Sequence, residues 1–253
     1  MRYSRTGIVA VLLAAEVFIG GAILWTLTGG RMTWPAQASG LHRVSDQTGK
    51  TFAPIDAGSS PHVVIDDPDS KIVITASTDG DVHVTDDTRI VGWVWGASGP
   101  HANLSVAKTG DGVSITRGDG QAHVAIVGFD YQHTDVEVPA GAFVDVQRCG
   151  GADVTGLAGQ VRIHSVDGSI KGRQLRVTGG EIQSDDGGVR LAFADANLNV
   201  HAKTSDGSIH FDGRRVARDD ESAGADLRIG TGGGSLLVSS QDGSIHISTN
   251  GAL

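Results

Sequence analysis

Ser165-Val166-Asp167-Gly168-Ser169-Ile170 decides how this chain folds, because the pattern recurs. It returns as Ser184-Asp-Asp-Gly-Gly-Val189, as Thr204-Ser-Asp-Gly-Ser-Ile209 and as Ser240-Gln-Asp-Gly-Ser-Ile245, with an earlier copy in Ser77-Thr-Asp-Gly-Asp-Val82. Gly168, Gly187, Gly207 and Gly243 are spaced by 19, 20 and 36 residues, so the last gap is near two periods and holds an irregular stretch from Arg214 to Ala225. Asp-Gly favours a tight turn, since glycine accepts positive φ and aspartate bonds nearby backbone. The sequence therefore assigns structural turns to Asp79 and Gly80, Asp167 and Gly168, Asp186 and Gly187, Asp206 and Gly207, and Asp242 and Gly243.

An aliphatic residue stands two positions after each of these glycines and opens the next strand inward. Alternation continues in Val161-Arg-Ile163, Val189-Arg-Leu191, Leu227-Arg-Ile229 and Ile245-His-Ile247, the period-two mark of half-buried strands. One such unit is too thin to bury its apolar face alone, and stacked copies give a continuous core. The expected fold is all-β, a β-solenoid or β-helix-like repeat domain, with a hairpin-rich sandwich as the open alternative. Upstream, His62-Val-Val-Ile-Asp66, Lys71-Ile-Val-Ile-Thr75 and Asp81-Val-His-Val-Thr85 also read as strands.

Gly7 to Leu27 carries one charge, Glu16, and is long enough to cross a bilayer as a helix. Arg2 and Arg5 precede it, which orients the rest outward, and Trp25 and Trp34 suit the outer interface. Residues 1–30 are thus expected to form one transmembrane signal anchor, 31–59 a linker and 60–253 the β-repeat domain. A signal peptide cut after Ala36-Gln37-Ala38 is the competing reading. Both place the domain outside the cytoplasm.

The chain has 37 glycines without a three-residue period, which excludes collagen, and 39% hydrophobic residues, which excludes plain disorder. Its net charge of −9 implies repulsion of nucleic acid and anionic lipid, and no nucleic-acid partner is expected. The single cysteine, Cys149, allows no internal disulfide and reads as a buried thiol. No cysteine lies near the N-terminus to carry a lipid.

The repeats resemble those of the DUF4097 β-strand-repeat proteins, catalogued provisionally as adhesins. The resemblance rests on the Asp-Gly-Ser-Ile copies, on Val136-Glu-Val-Pro-Ala-Gly-Ala-Phe-Val144 and on Cys149-Gly-Gly-Ala-Asp-Val154. It covers roughly 60–253 and is clearest from about 134 on. It implies a β-solenoid-like fold and a bacterial envelope setting, and it implies no catalytic residues. With the apolar segment as anchor, the expected location is the bacterial cell membrane, single-pass, with the C-terminal domain periplasmic or at the cell surface.

Candidate chemistry is sparse. Ten histidines show no ligand spacing, Asp66 to Asp87 lacks any calcium-loop pattern, and no metal or cofactor is expected. His62 and His83 stand isolated in the sequence. Asp167, Asp186, Asp206 and Asp242 form a repeated, equivalent set, as turn chemistry predicts, whereas an active site should break the repeat. The one break, Arg214 to Asp226, reads as an exposed loop. Arg117-Gly118-Asp119 matches a cell-attachment tripeptide in a turn, which so short a match makes a coincidence. Trp93 and Trp95 lie on one face of a strand and are the candidate ligand contacts, against core filling. The leading expectation is a non-enzymatic, membrane-anchored protein that binds an unknown protein or glycan, or scaffolds the envelope. The alternatives are a carbohydrate-active enzyme on a β-helix, and a structural or signalling subunit acting through the membrane helix.

Overall fold

A computed structural model describes residues 42–95, 103–110, 112–118, 124–219 and 222–249. The expected anchor, 1–30, lies outside these residues. None of the described residues forms a helix long and apolar enough to cross a membrane.

The described residues form strands β1 (His42–Thr51), β2 (Ile55–Asp56), β3 (His62–Asp67), β4 (Lys71–Ser77), β5 (Asp81–Trp95), β6 (Leu104–Thr109) and β7 (Gly112–Arg117). They continue as β8 (Val124–Pro139), β9 (Phe143–Cys149), β10 (Ala152–Thr155), β11 (Gln160–Ser165), β12 (Ile170–Leu175) and β13 (Gly179–Ser184). The last are β14 (Val189–Phe193), β15 (Leu198–Phe211), β16 (Arg214–Asp219), β17 (Ala223–Ile229), β18 (Gly234–Asp242) and β19 (Ile245–Ser248).

Two sheets result. The first runs β6-β7-β3-β9-β11-β13-β18-β15-β17, parallel from β7 to β15 and closed at each end by an antiparallel strand. The second runs β1-β5-β8-β4-β10-β12-β14-β19-β15-β16. A rung is one strand from each sheet joined by a corner, as in β11–β12 or β13–β14. β15 is long enough to serve both sheets by itself. The rungs stack as β7/β8, β3/β4, β9/β10, β11/β12, β13/β14, β18/β19 and β15, which is a solenoid with a shuffled chain order.

The aliphatic residue after each corner stacks in register: Ile72, Ala152, Ile170, Val189, Ile245 and Ile209 form one inward column. All are fully buried. Facing them from the first sheet are Val63, Val113, Val144, Val161, Leu236 and Val200, also buried. These small aliphatics suit a thin core, because β-branched side chains pack well on a pleated surface.

Two segments differ from the sequence reading. Within the expected linker, residues 42–51 form β1, which pairs antiparallel with β5 along its whole length. Its polar, aperiodic sequence hides it, as befits a strand that covers an edge rather than contributing to the core. Arg214 to Asp226, read as an exposed loop, contains β16 and the start of β17, which pair with the two halves of β15. The gap of 36 residues is therefore an excursion that caps the stack. Gly207 and Gly243 end up on adjacent rungs, since Asp206 pairs with Asp242.

Candidate functional site

The corners of the second half of the stack bring four of the predicted turn glycines together. A Cβ placed on Gly187 would meet the Gly168 carbonyl oxygen at 2.5 Å, and one on Gly243 would meet Gly187 at 2.7 Å. One on Gly207 would meet the Gly243 oxygen at 2.5 Å, and one on Gly168 would collide with Gly150. Glycine is thus required at Gly168, Gly187 and Gly243 by the close approach of successive rungs more than by φ. The corner hydroxyls bind across the same gap. Ser184 donates to the Gly168 carbonyl (3.0 Å), Ser240 to that of Gly187 (2.9 Å) and Thr204 to that of Gly243 (2.8 Å). Asp167, Asp186, Asp206 and Asp242 are exposed, and no hydrogen bond engages their carboxylates among the described residues. Asp79 and Gly80 sit elsewhere. They link β4 to β5 within one sheet, Gly80 takes φ of 86°, and no atom lies within 4 Å of its would-be Cβ.

The Asp79 turn gathers Asp79, Asp81 and His83. Asp79 accepts the Asp81 N–H at 3.1 Å and meets the His83 ring at 2.7 Å, and both contacts hold its carboxyl below the usual range. His83, isolated in the sequence, thus gains a partner through the turn. The carboxylate is spent on these bonds.

The inward column that ends each strand of the first sheet is polar. Arg117, Asp67, Cys149, Ser165, Ser184, Ser240 and Thr204 succeed one another down the stack, all buried. At its first end the Arg117 guanidinium grips Asp67 (2.7 and 3.1 Å) and Asp86 (2.7 Å). Thr134 and Ser70 donate to Asp67 at 2.9 and 2.6 Å. Burial pulls the Arg117 pKa down, but its hydrogen bonds to the Asp67 and Asp86 carboxylates outweigh it and leave it raised. The Arg117 side chain is only 4% exposed, so the Arg-Gly-Asp tripeptide offers no free guanidinium to a receptor. Cys149 fills a place that hydroxyls fill on later rungs, and burial pushes its thiol up.

The outer face of the first sheet carries a shallow groove of about 310 Å³, lined by Asp145, Gln147, Arg162, His164, Glu181 and Gln183 among others. Asp145, Arg162 and Glu181 share one cross-strand row. Asp145 Oδ2 lies 3.6 Å from Arg162 and 3.7 Å from His62, and its other oxygen is buried without a partner. His164 meets Asp185 at 3.0 Å and, as the main cause, lowers its carboxyl pKa. Arg162 stands in register between the two carboxylates and pairs with Asp145. Trp93 and Trp95 belong to the outer end of β5, whose side chains lie outside the described residues.

A family model described as Toastrack DUF4097 matches residues 57–248. The chain belongs to this family. A provisionally assigned cell adhesion protein of Clostridium sporogenes is similar at 9% identity and a TM-score of 0.43, over 82% of this chain and 100% of that one. A provisionally assigned adhesin of Bacteroides fragilis follows at 12% identity and 0.26, over 81% and 97%. One of Parabacteroides merdae matches at 8% and 0.24, over 80% and 95%. No curated protein matches the sequence.

The expected DUF4097 membership and the all-β, solenoid-like Toastrack fold are thereby established. What sequence reading missed in the Toastrack domain is the buried Arg117, Asp67 and Asp86 group. Its only sequence signal is a polar residue at an inward position of three alternating strands, as in Val63-x-Ile65-x-Asp67.

Proposed function

We propose that this chain is a non-enzymatic binding module, adhesin-like or envelope-scaffolding, held outside the cytoplasm by its apolar segment at 7–27. The observation that carries the reading is the uninterrupted stack. Among the described residues no cleft breaks the rungs, the repeated carboxylates stand equivalent and exposed at the corners, and the buried Arg117, Asp67 and Asp86 group is sealed by its own partners. Glycoside hydrolysis asks for two carboxylates of different character around a bond-sized gap. Long flat sheet faces with ordered rows of charged side chains instead suit recognition over an extended contact.

The test uses the full chain in nanodiscs of zwitterionic lipid against a panel of purified envelope glycans and proteins. Saturable binding without product formation is expected. Turnover of any glycan that is lost in Asp145→Asn or Asp186→Asn would sink the reading. A C-terminal epitope accessible to antibody on intact cells is expected from the anchor, and one reachable only after lysis overturns that part.

A further inference from the structure

Although the chain is acidic overall, with a net charge of −9, one half of the outer face of the second sheet is cationic. Lys171 on β12 stands beside Arg190 on β14, Arg190 beside His246 on β19, His246 beside His210 on β15, and His210 beside Arg215 on β16. Cross-strand partners share a face, so these five side chains form one row. At the usual spacing of neighbouring strands the row is about 19 Å long. The His210 and His246 rings lie 4.6 Å apart. Ser208, beside them, meets His210 at 3.0 Å and the Ser244 hydroxyl at 3.2 Å. Lys171, Arg190 and Arg215 have no carboxylate partner among the described residues.

Lys171 and Arg190 are like charges directly opposite one another on adjacent strands, and nothing within the row compensates them. The His246 imidazole registers this: burial lowers its pKa first, and the charges of His210 and Arg190 lower it further. Such a row is stabilised by an anion arriving from outside.

We infer that the Lys171, Arg190, His246, His210 and Arg215 row is a docking surface for an acidic polysaccharide, one bearing carboxylate, phosphate or sulfate groups along an extended chain. This deepens the binding reading above and rests on it. The shape of the charge selects the partner. Beyond the row, beginning with Asp153 directly beside Lys171, the same sheet face carries Asp153, Asp135, Asp87 and Glu137 on β10, β8 and β5, relieved only in part by Lys71, which binds Asp153 at 2.8 Å, by His133, which meets Asp135 at 3.0 Å, and by Arg89. A flat anionic membrane would meet both halves and be repelled by one. A narrow chain lying along the row from β12 to β16 meets its basic side chains, with the corner carboxylates of Asp167, Asp186, Asp206 and Asp242 set four residues back along the chain. The row offers serine hydroxyls to sugar hydroxyls but no phenylalanine, tyrosine or tryptophan on which bases could stack, which favours a glycan over a nucleic acid.

The test takes the full chain in zwitterionic nanodiscs and measures binding of polygalacturonate oligomers, neutral dextran, a single-stranded DNA oligonucleotide and phosphatidylglycerol vesicles. Polygalacturonate should bind, dextran should not, and affinity should fall roughly tenfold between about 50 and about 200 mM salt. Each of Lys171→Gln, Arg190→Gln and Arg215→Gln should weaken binding about threefold, as expected for exposed charges, with the melting temperature unchanged. Lys203→Gln with Arg228→Gln, on the opposite face, should leave binding within twofold. The His246 ring-proton signals should move and titrate at higher pH on the glycan, because nearby carboxylates favour the imidazolium.

The inference is overturned if no polyanion binds at low salt, if DNA or vesicles bind more tightly than polygalacturonate, or if the opposite-face pair loses as much. A chain that ignores polygalacturonate yet binds a neutral glycan or an envelope protein keeps the binding reading and discards this one. Depolymerisation of polygalacturonate removes the binding reading itself.

Discussion

At the residue scale the corner glycines and the Arg117 group lend themselves to test. Gly187→Ala pushes a methyl into the Gly168 carbonyl, which belongs to rigid backbone and cannot turn away. A loss of about 2 kcal/mol is expected from such overpacking, read as a drop in Tm of roughly 3 °C per kcal/mol. Gly80→Ala has open space and suffers only its left-handed backbone, so it should cost about 1 kcal/mol. Equal losses would mean that φ, not rung spacing, selects the glycines. Arg117→Met leaves Asp67 and Asp86 buried without their cation and should cost about 3–5 kcal/mol. Adding Asp67→Asn and Asp86→Asn should return part of this, since the uncompensated charge is then gone. A triple variant no more stable than Arg117→Met would deny the group its ionic character. For Cys149, burial raises the folded thiol above its ordinary value near 9. The protonated form is therefore favoured by folding, so its contribution is complete below that value and fades as pH climbs through the raised one. Urea unfolding between about pH 8 and 10.5 should show an alkaline decline that Cys149→Ser reduces, the serine matching its neighbours in the column. The Asp-Gly-Ser-Ile copies were legible because each does the same local job. The hydroxyl ladder was only half legible, since a serine before a turn reads as turn chemistry whether it bonds its own turn or the next rung.

At the element scale the strands were readable where they feed the core and unreadable where they close it. Val161-Arg-Ile163 and Ile245-His-Ile247 alternate because one face is buried, which is what fixes strand register. β1 and β16 lie at the ends of the second sheet with charged and small polar residues, and nothing in their sequence demands a partner. Edge strands are kept polar to avoid pairing with other chains, so the property that protects them also conceals them. Stacking order was hidden for a related reason. A corner says that the chain turns, not which rung it lies against, and β3/β4 enters between β7/β8 and β9/β10 without any local mark. Hydrogen exchange should reflect these roles. Amides of β9, β11 and β13, paired on both sides, should be protected far longer than those of β6 and β17, paired on one. Equal protection of β17 and β13 would show that β17 is not an edge.

At the scale of the whole molecule, the cationic row shows what stacking creates. Lys171, Arg190, His210 and His246 are far apart in sequence and diluted in an acidic chain, so net charge conceals them. Only the shuffled rung order sets them side by side. The same order governs how damage spreads. Each rung touches its neighbours and no others, so stability is close to a sum of rung and interface terms. The polar column is a series of local bonds, within one corner at Ser165 and from one rung to the next at Ser184, Ser240 and Thr204, and supplies no long-range link. Arg117→Met should therefore speed exchange in β3, β7 and β8, with a smaller effect in β9, and leave β15, β18 and β19 nearly unchanged. Leu236→Ala, which opens a cavity on β18 costing about 2–5 kcal/mol, should do the reverse, exposing β13, β15 and β18 while sparing β3 and β7. Exchange measured strand by strand on both variants decides the matter. If either substitution lowers protection equally along the whole stack, the molecule unfolds as one cooperative unit, and the apolar column from Ile72 to Ile209, continuous through the rungs, must be what binds it together.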